Sequence, residues 1–555
     1  LNPPSPAHGR IIQTRNADGK SATRFFWLAT AGILLLSAGL KAGLLLAGAF
    51  PFNADEAVVG LMARHILQGA WPTFFYGQAY MGSLDASLVA GAFALLGPRV
   101  DVIRLVQLVL YVGIVLTTIM LGRRIFGPWP ALLAGLFMTI PTVNLTLYTT
   151  VSLGGYAEAL LIGNLLLIAA LSIVDRPAHK WTYLVWGFLS GLGLWAFGLT
   201  LVYVLPSALL IALVAWPRSS EGRRDGAVAK IGLIGLGGVA GASPWIAYAI
   251  RNGMGKLLSE LGGSAIVGAS PSGLLASIGS HTFNLVVFGT TVIFGLRPPW
   301  EVRWLAPVLI PVVSAFWIAV IIFAVRILRN ASMDHAGMIL LAGVVVCLCG
   351  GFVLTPFGAD PSGRYFTPLA VPIAIFGGGM LDGVRQRFGL WPSWALVACV
   401  LVFNLWGTID SSRRNPPGLT TQFNPNTRID HSYDQALIEF LSSRGEMRGY
   451  TNYWVAYPLA FLSSETEIYI PRLPYHPDLR YTPRDDRYAP YDAEVWASGE
   501  VAYITTGPVA LDTALEGYLS RMGVDYREAD IGDYHVYYGL SQRVSPPDFT
   551  SLRQE

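Results

Sequence analysis

Two adjacent carboxylates, Asp55 and Glu56, follow directly on the first long apolar run of the chain. They stand in the stretch Pro51-Phe-Asn-Ala-Asp-Glu-Ala-Val-Val-Gly, where a helix leaving a bilayer near Phe50 would surface. Charge at a membrane boundary is costly, and its presence points to a task. Neighbouring residues on a helix point about 100° apart, so the two carboxyls do different work. One faces a cavity while the other caps the helix or meets another partner. A carboxylate beside a low-dielectric surface can act as a general base toward a hydroxyl or an amine. The same residues also read as a plain helix start. Asn53 or Asp55 would then be the N-cap, with Glu56 favoured by the helix dipole.

A second candidate is Glu158, a lone acid among Ala157, Ala159, Leu160 and Leu161. An acid inside an apolar helix is either functional or a packing carboxyl bonded to a neighbouring helix. The third is Arg364 in Phe357-Gly-Ala-Asp-Pro-Ser-Gly-Arg-Tyr-Phe-Thr-Pro368. Guanidinium suits bidentate phosphate binding, and Tyr365 can stack or hydrogen-bond beside it. The competing reading is an interfacial Arg/Tyr anchor. Tyr76, Gln78, Tyr80 and Asp85 share the loop of the Asp-Glu pair and are candidates for substrate contact. His65 reads as a helix-face residue. His281, Arg297, Glu301 and Arg303 either line an entrance or mark a membrane boundary. No phosphate-cradling glycine loop, zincin helix or paired CxxC is present, so no metal site is expected.

The elements that position these residues are those of a membrane protein. Of 555 residues, 53% are hydrophobic and only 13% charged, against about 25% in soluble chains. About eleven windows approach the length needed to span a bilayer: 25–50, 102–121, 130–149, 156–174, 181–198, 199–216, 231–249, 305–325, 336–355, 366–384 and 392–410. Two apolar stretches, 83–96 and 274–295, are expected to lie on the external face as interfacial or re-entrant helices. Residues 1–24 read as a cytoplasmic tail followed by a retained anchor. Arg123/Arg124, Arg176/Lys180, Arg218/Arg223/Arg224/Lys230, Arg326/Arg329 and Arg385/Arg387 would mark inner loops, although strict alternation of the windows does not put all of them on one side. An odd number of spans then places residues 411–555 outside. There the apolar runs end, and alternating helices (434–443, 512–522) and strands (448–454, 467–471, 501–506, 534–539) predict a small α/β domain. Cys347, Cys349 and Cys399 lie in apolar runs and suggest no disulfide or thiolate site. A net charge of +3 without a basic stripe points to no nucleic-acid partner. The absence of an internal repeat argues against a secondary transporter.

Taken in order, Asp55-Glu56-Ala57 with Ala63-Arg64, Gly122-Arg-Arg-Ile-Phe-Gly127, Glu158, and Arg364-Tyr365 with Pro368 resemble a GT-C membrane glycosyltransferase. The resemblance is to the protein O-mannosyltransferase and aminoarabinose transferase superfamily, over most of residues 25–410. It implies an α-helical polytopic membrane protein with an extracytoplasmic C-terminal α/β domain, in the plasma membrane. It implies transfer of a sugar from a polyprenyl-phosphate donor to a glycan, lipid or protein acceptor on the external face, usually with inversion. Asp55 and Glu56 would match the acidic pair that activates or positions the acceptor. Glu158 would take the place of an acid near the cavity, and Arg364 would hold the donor phosphate. No cofactor is obligatory, and a divalent cation bridging Asp55 to the lipid phosphate is a secondary option. The sequence departs from the aminoarabinose transferases at Tyr80-Met-Gly-Ser-Leu-Asp85, which lacks their Lys-Pro pair. That puts the donor-phosphate contacts in doubt and argues against an aminoarabinose donor. The alternative is a non-catalytic scaffold or assembly subunit descended from such an enzyme.

Overall fold

The computed structural model describes residues 7–215, 224–266, 274–330, 335–414, 418–422, 427–507 and 509–552. Residues 1–6 of the tail and the inner-loop Arg218 and Arg223 lie outside them. Among the described residues, eight helices are long and apolar enough to cross a bilayer: Ser21–Leu46, Val100–Phe126, Tyr156–Asp175, Leu275–Ile293, Pro307–Arg329, Ala336–Leu354, Arg364–Phe388 and Leu390–Arg414. A ninth is a bent pair, Gly226–Gly241 and Ser243–Asn252, meeting at 69°. The chain is a multi-pass membrane protein.

The helices do not reproduce the expected count of about eleven, for local reasons. Window 130–149 is cut by Pro141 into Pro128–Thr139 and Val143–Tyr148. Ile140, the residue before that proline, leaves helical geometry at φ −121° and ψ 74°. Windows 181–198 and 199–216 become Lys180–Ala196 and Leu201–Ala215, only 17 and 15 residues long. Conversely, window 274–295, expected on the external face, contains Leu275–Ile293, a 19-residue helix that meets the crossing criterion. The other expected interfacial stretch is Leu84–Leu96, whose 13 residues fall short of a bilayer.

Glycines let two of these helices touch backbone to backbone. A Cβ on Gly191 would lie 2.2 Å from the Gly238 carbonyl, and one on Gly241 2.1 Å from that of Phe188. Lys180–Ala196 and Arg224–Gly241 therefore pack through a stripe of small residues.

The segment after the first span builds the platform for the acidic pair. Asn53 is the N-cap of Ala54–Leu67, and its side chain accepts from the Glu56 backbone N–H at 3.1 Å. A short hairpin follows, β1 (Phe74–Phe75) and β2 (Gln78–Gly82), turning at Gly77 with φ +69°. Leu84–Leu96 then returns to pack on Ala54–Leu67.

The C-terminal part is an α/β unit. Its strands β3 (Arg448–Thr451), β4 (Ile468–Pro471), β5 (Ala502–Thr505), β6 (Arg527–Ile531) and β7 (Tyr534–Tyr538) form one sheet in the order β4-β3-β5-β7-β6. β3 runs parallel to β4 and β5, while β7 is antiparallel to β5 and β6. Two elements differ from the sequence expectation. Trp454, expected at the end of a strand, lies in the helix Tyr453–Leu462 that crosses from β3 to β4. Strand β6 was not expected, because its Arg-Glu-Ala-Asp-Ile pattern is polar and exposed. Charged side chains of this kind protect an edge strand from pairing with other chains.

Candidate active site

The acidic pair separates by environment. Glu56 is fully buried and forms a bidentate ion pair with Arg104, at 2.9 and 3.0 Å. Arg104 lies near the start of Val100–Phe126, so this pair ties the platform helix to a membrane span. Asp55 points the other way, toward the C-terminal domain. Its Oδ1 accepts from the Tyr453 hydroxyl at 2.6 Å, and its Oδ2 from Thr421 Oγ1 at 3.4 Å. Burial, and then the charge on Asp55, hold the Tyr453 phenol well above its ordinary pKa, so that hydroxyl is the donor.

Asp85 and Glu158 meet each other in a closed pocket, 1% and 2% exposed. Asp85 accepts from Gln107 at 2.9 Å, from Ser152 Oγ at 2.6 Å and from the Gly154 N–H at 3.1 Å. Burial pushes the Asp85 carboxyl up from its ordinary value, and its hydrogen bonds work against that. Glu56 also senses the charge on Asp85.

Arg364 is set by glycine geometry. Gly363 adopts φ +94°, and a Cβ there would meet Asn144 Oδ1 and Val292 at 2.5 Å. Asn144 donates to the Gly363 carbonyl at 3.0 Å, fixing the turn against Val143–Tyr148. The guanidinium pairs with Asp360 and lies 5.0 Å from the Tyr365 ring centroid. Tyr80 and Tyr156 stand in its field.

Tyr80 is the point where the groups converge. Its phenol senses Arg364, Arg487 and Arg484 as well as Asp55, and burial pushes its pKa up against the three arginines. Gln78 links it to the C-terminal domain. The Gln78 carboxamide oxygen accepts from Arg487 at 2.6 and 2.8 Å, and its nitrogen donates to Tyr80 at 3.1 Å, in the amide orientation that satisfies every partner. Arg487 also reaches the Tyr76 carbonyl at 3.4 Å and lies 5.3 Å from the Tyr453 ring centroid.

An apolar cavity of about 430 Å³ lies beside this centre, with Tyr80, Phe357 and Tyr365 among its lining residues. Leu201, Leu205, Leu348 and Phe352 are among the residues that line its length. The remaining candidates are engaged in local structure. His65 bonds to Tyr76 at 2.9 Å and to Glu465 at 2.8 Å, and stacks on Tyr488. His281 lies 3.0 Å from the Val353 carbonyl. Arg297 donates to the Phe288 and Pro298 carbonyls, and Arg303 bridges Glu301 and Asp410. Among the described residues no group of three or more His, Cys, Asp or Glu converges.

No protein-family model matches the chain, and no curated protein does. Solved structures are similar to it. ArnT from Cupriavidus metallidurans bound to undecaprenyl phosphate aligns with a TM-score of 0.56 at 13% identity, over 95% of this chain and 99% of that one. Its apo state aligns at 0.55 and 11% identity, over 96% and 99%. The oligosaccharyltransferase of Archaeoglobus fulgidus in the apo form aligns at 0.51 and 12% identity, over 86% of this chain and 69% of that one. The chain has a GT-C fold. The ArnT alignment spans nearly the whole of both chains, so the likeness includes the C-terminal domain.

Within this GT-C fold, four groups around the site were not singled out from sequence. Arg104 had a usable signal, a lone cation in an apolar window. Thr421, Tyr453 and Arg487 had none, since Tyr453 lies 398 residues from the carboxylate it meets.

Proposed function

We propose that the protein transfers a sugar from a polyprenyl-phosphate donor to an acceptor on the extracytoplasmic side of the plasma membrane. The observation that carries this reading is the apolar cavity lined in part by Tyr80 and Tyr365, the two phenols beside Arg364. The first isoprenoid units of a donor would lie in this cavity, with the phosphate at the guanidinium. The ArnT structure, of the same fold, holds undecaprenyl phosphate.

The chemistry is a single displacement. An acceptor hydroxyl or amine attacks the anomeric carbon, and the bond from that carbon to the phosphate oxygen breaks. The nucleophile's proton passes to Asp55. The lipid phosphate leaves as an anion that needs charge stabilisation more than a proton, and Arg364 supplies it. Asp55 is the base in this scheme and Glu56 the anchor of its helix. Glu158 and Asp85 hold the loop and the span together below the platform, while Tyr80, Gln78 and Tyr365 border the donor. Besides two hydroxyls and the field of Arg487, Asp55 has the Asp485 carboxyl in its surroundings. The scheme routes no step through a metal.

Cells lacking the protein are expected to accumulate a polyprenyl-phosphate sugar, seen by lipid mass spectrometry. Wild-type protein should clear it, and Asp55→Asn, folded and present at normal level, should not. Clearance by Asp55→Asn equal to wild type would rule out Asp55 as the base and favour a scaffold.

A further inference from the structure

The Asp55 carboxylate is held by a residue of the other domain. Tyr453 is the first residue of Tyr453–Leu462, and its hydroxyl lies 2.6 Å from Asp55 Oδ1. Asn452 caps that helix by accepting from the Trp454 N–H at 2.9 Å and anchors to Thr506 at 2.6 Å. The far end of the helix is wedged into the platform. Phe461 packs on Phe52 and Phe93, and Arg64 lies over its ring at 4.2 Å. The approach is so close that a Cβ on Gly60 would lie 2.5 Å from the Phe461 ring. Arg487 flanks the Tyr453 ring on the side of Gln78. The phenol is thus fixed at both ends of its helix and aimed at one oxygen of the base.

We propose that Tyr453 is a positioning residue for Asp55: the C-terminal domain sets the rotamer of the base through this one hydrogen bond. The inference rests on the reading of Asp55 as the base. The hydrogen bond keeps Oδ1 occupied, leaving Oδ2, which has only the long Thr421 contact, to take the proton from the acceptor. The other groups that act on this carboxylate are Arg487, Tyr80, Tyr148 and Asp485. They are unchanged in the variants below.

The test uses membrane vesicles containing the full-length protein, fed with the polyprenyl-phosphate sugar extracted from cells that lack it. For Tyr453→Phe, kcat should fall about 10-fold or more, because the carboxylate loses its fixed rotamer. The half-saturating donor concentration should stay unchanged. Fluorotyrosine incorporated at position 453 keeps both the shape and the donor, so kcat should stay near wild type. A merely structural role would lower the thermal midpoint and the amount of folded protein in step with the rate, whereas Tyr453→Phe should keep the wild-type midpoint. Wild-type kcat in Tyr453→Phe, or a loss of rate matched by an equal loss of folded protein, with Asp55→Asn inactive, would overturn the inference alone. Donor consumption by Asp55→Asn at the wild-type rate, or no accumulated donor to extract, would overturn the underlying reading and the inference with it.

Discussion

Replacing Glu56 by Gln strands the Arg104 guanidinium in a buried site, because the two form a closed bidentate pair. Breaking such a pair costs about 3–5 kcal/mol, while Asp55→Asn keeps an acceptor for the Tyr453 hydroxyl and should cost far less. Glu56→Gln should therefore lower the thermal midpoint of the purified protein sharply, whereas Asp55→Asn should leave it near wild type and remove transfer. Equal stabilities for the two variants would contradict the division of labour between the neighbours. The second acidic pair behaves differently. Glu158→Gln keeps the size of the side chain and removes one of two acids buried together. Its cost should stay within about 1 kcal/mol, measured by the same unfolding assay. At this scale the sequence was informative about residue types and silent about partners. Asp55, Glu56 and Glu158 stand out because acids are rare in apolar surroundings. That Glu56 faces a span and Asp55 faces Tyr453 depends on contacts made from Arg104 and from the distant C-terminal chain.

Two elements meet to make the site, the platform helix Ala54–Leu67 and the C-terminal helix Tyr453–Leu462. Gly60 is the point of closest approach, so Gly60→Ala must displace the Phe461 ring. Overpacking of this kind costs about 1–3 kcal/mol. The expected outcome is faster hydrogen exchange in residues 453–462 and reduced transfer, without loss of the membrane spans. A second tie between the same elements is His65 with Glu465 at 2.8 Å. Burial would raise the Glu465 carboxyl, but hydrogen bonds from His65 and Tyr491 outweigh it and hold it below its ordinary 4.5. A depressed carboxyl adds stability that is complete above the ordinary value and fades as pH falls through the lower folded value. Docking of the C-terminal domain should accordingly weaken only on the acid side of 4.5. Limited proteolysis against pH would show this, and Glu465→Gln should remove the dependence. The short helices were the hard part to read. Pro141 and the turn at Phe197 cut apolar runs that periodicity alone leaves whole. The polar edge strand β6 carries too little apolar signal to announce itself.

Across the whole molecule, the polytopic helical region and the terminal α/β unit were legible, since composition changes where one ends. The membrane class follows from runs that no soluble chain carries. The candidate site was legible only in half. Asp55 and Arg364 stand out within the apolar part, whereas Tyr453, Arg484 and Arg487 enter from a domain whose sequence looks like any small α/β fold. Arg487 reaches Gln78 and the Tyr76 carbonyl in the first loop. The central claim is that this assembled centre binds a polyprenyl-phosphate sugar with its phosphate at Arg364. Native mass spectrometry of the purified protein, mixed with lipid extract from its own membrane, tests it most directly. Wild type should retain a polyprenyl-phosphate sugar whose mass names the donor, and Arg364→Ala should lose it while keeping its bulk phospholipid. A spectrum with phospholipid alone, or with the same polyprenyl adduct in both proteins, would contradict the account.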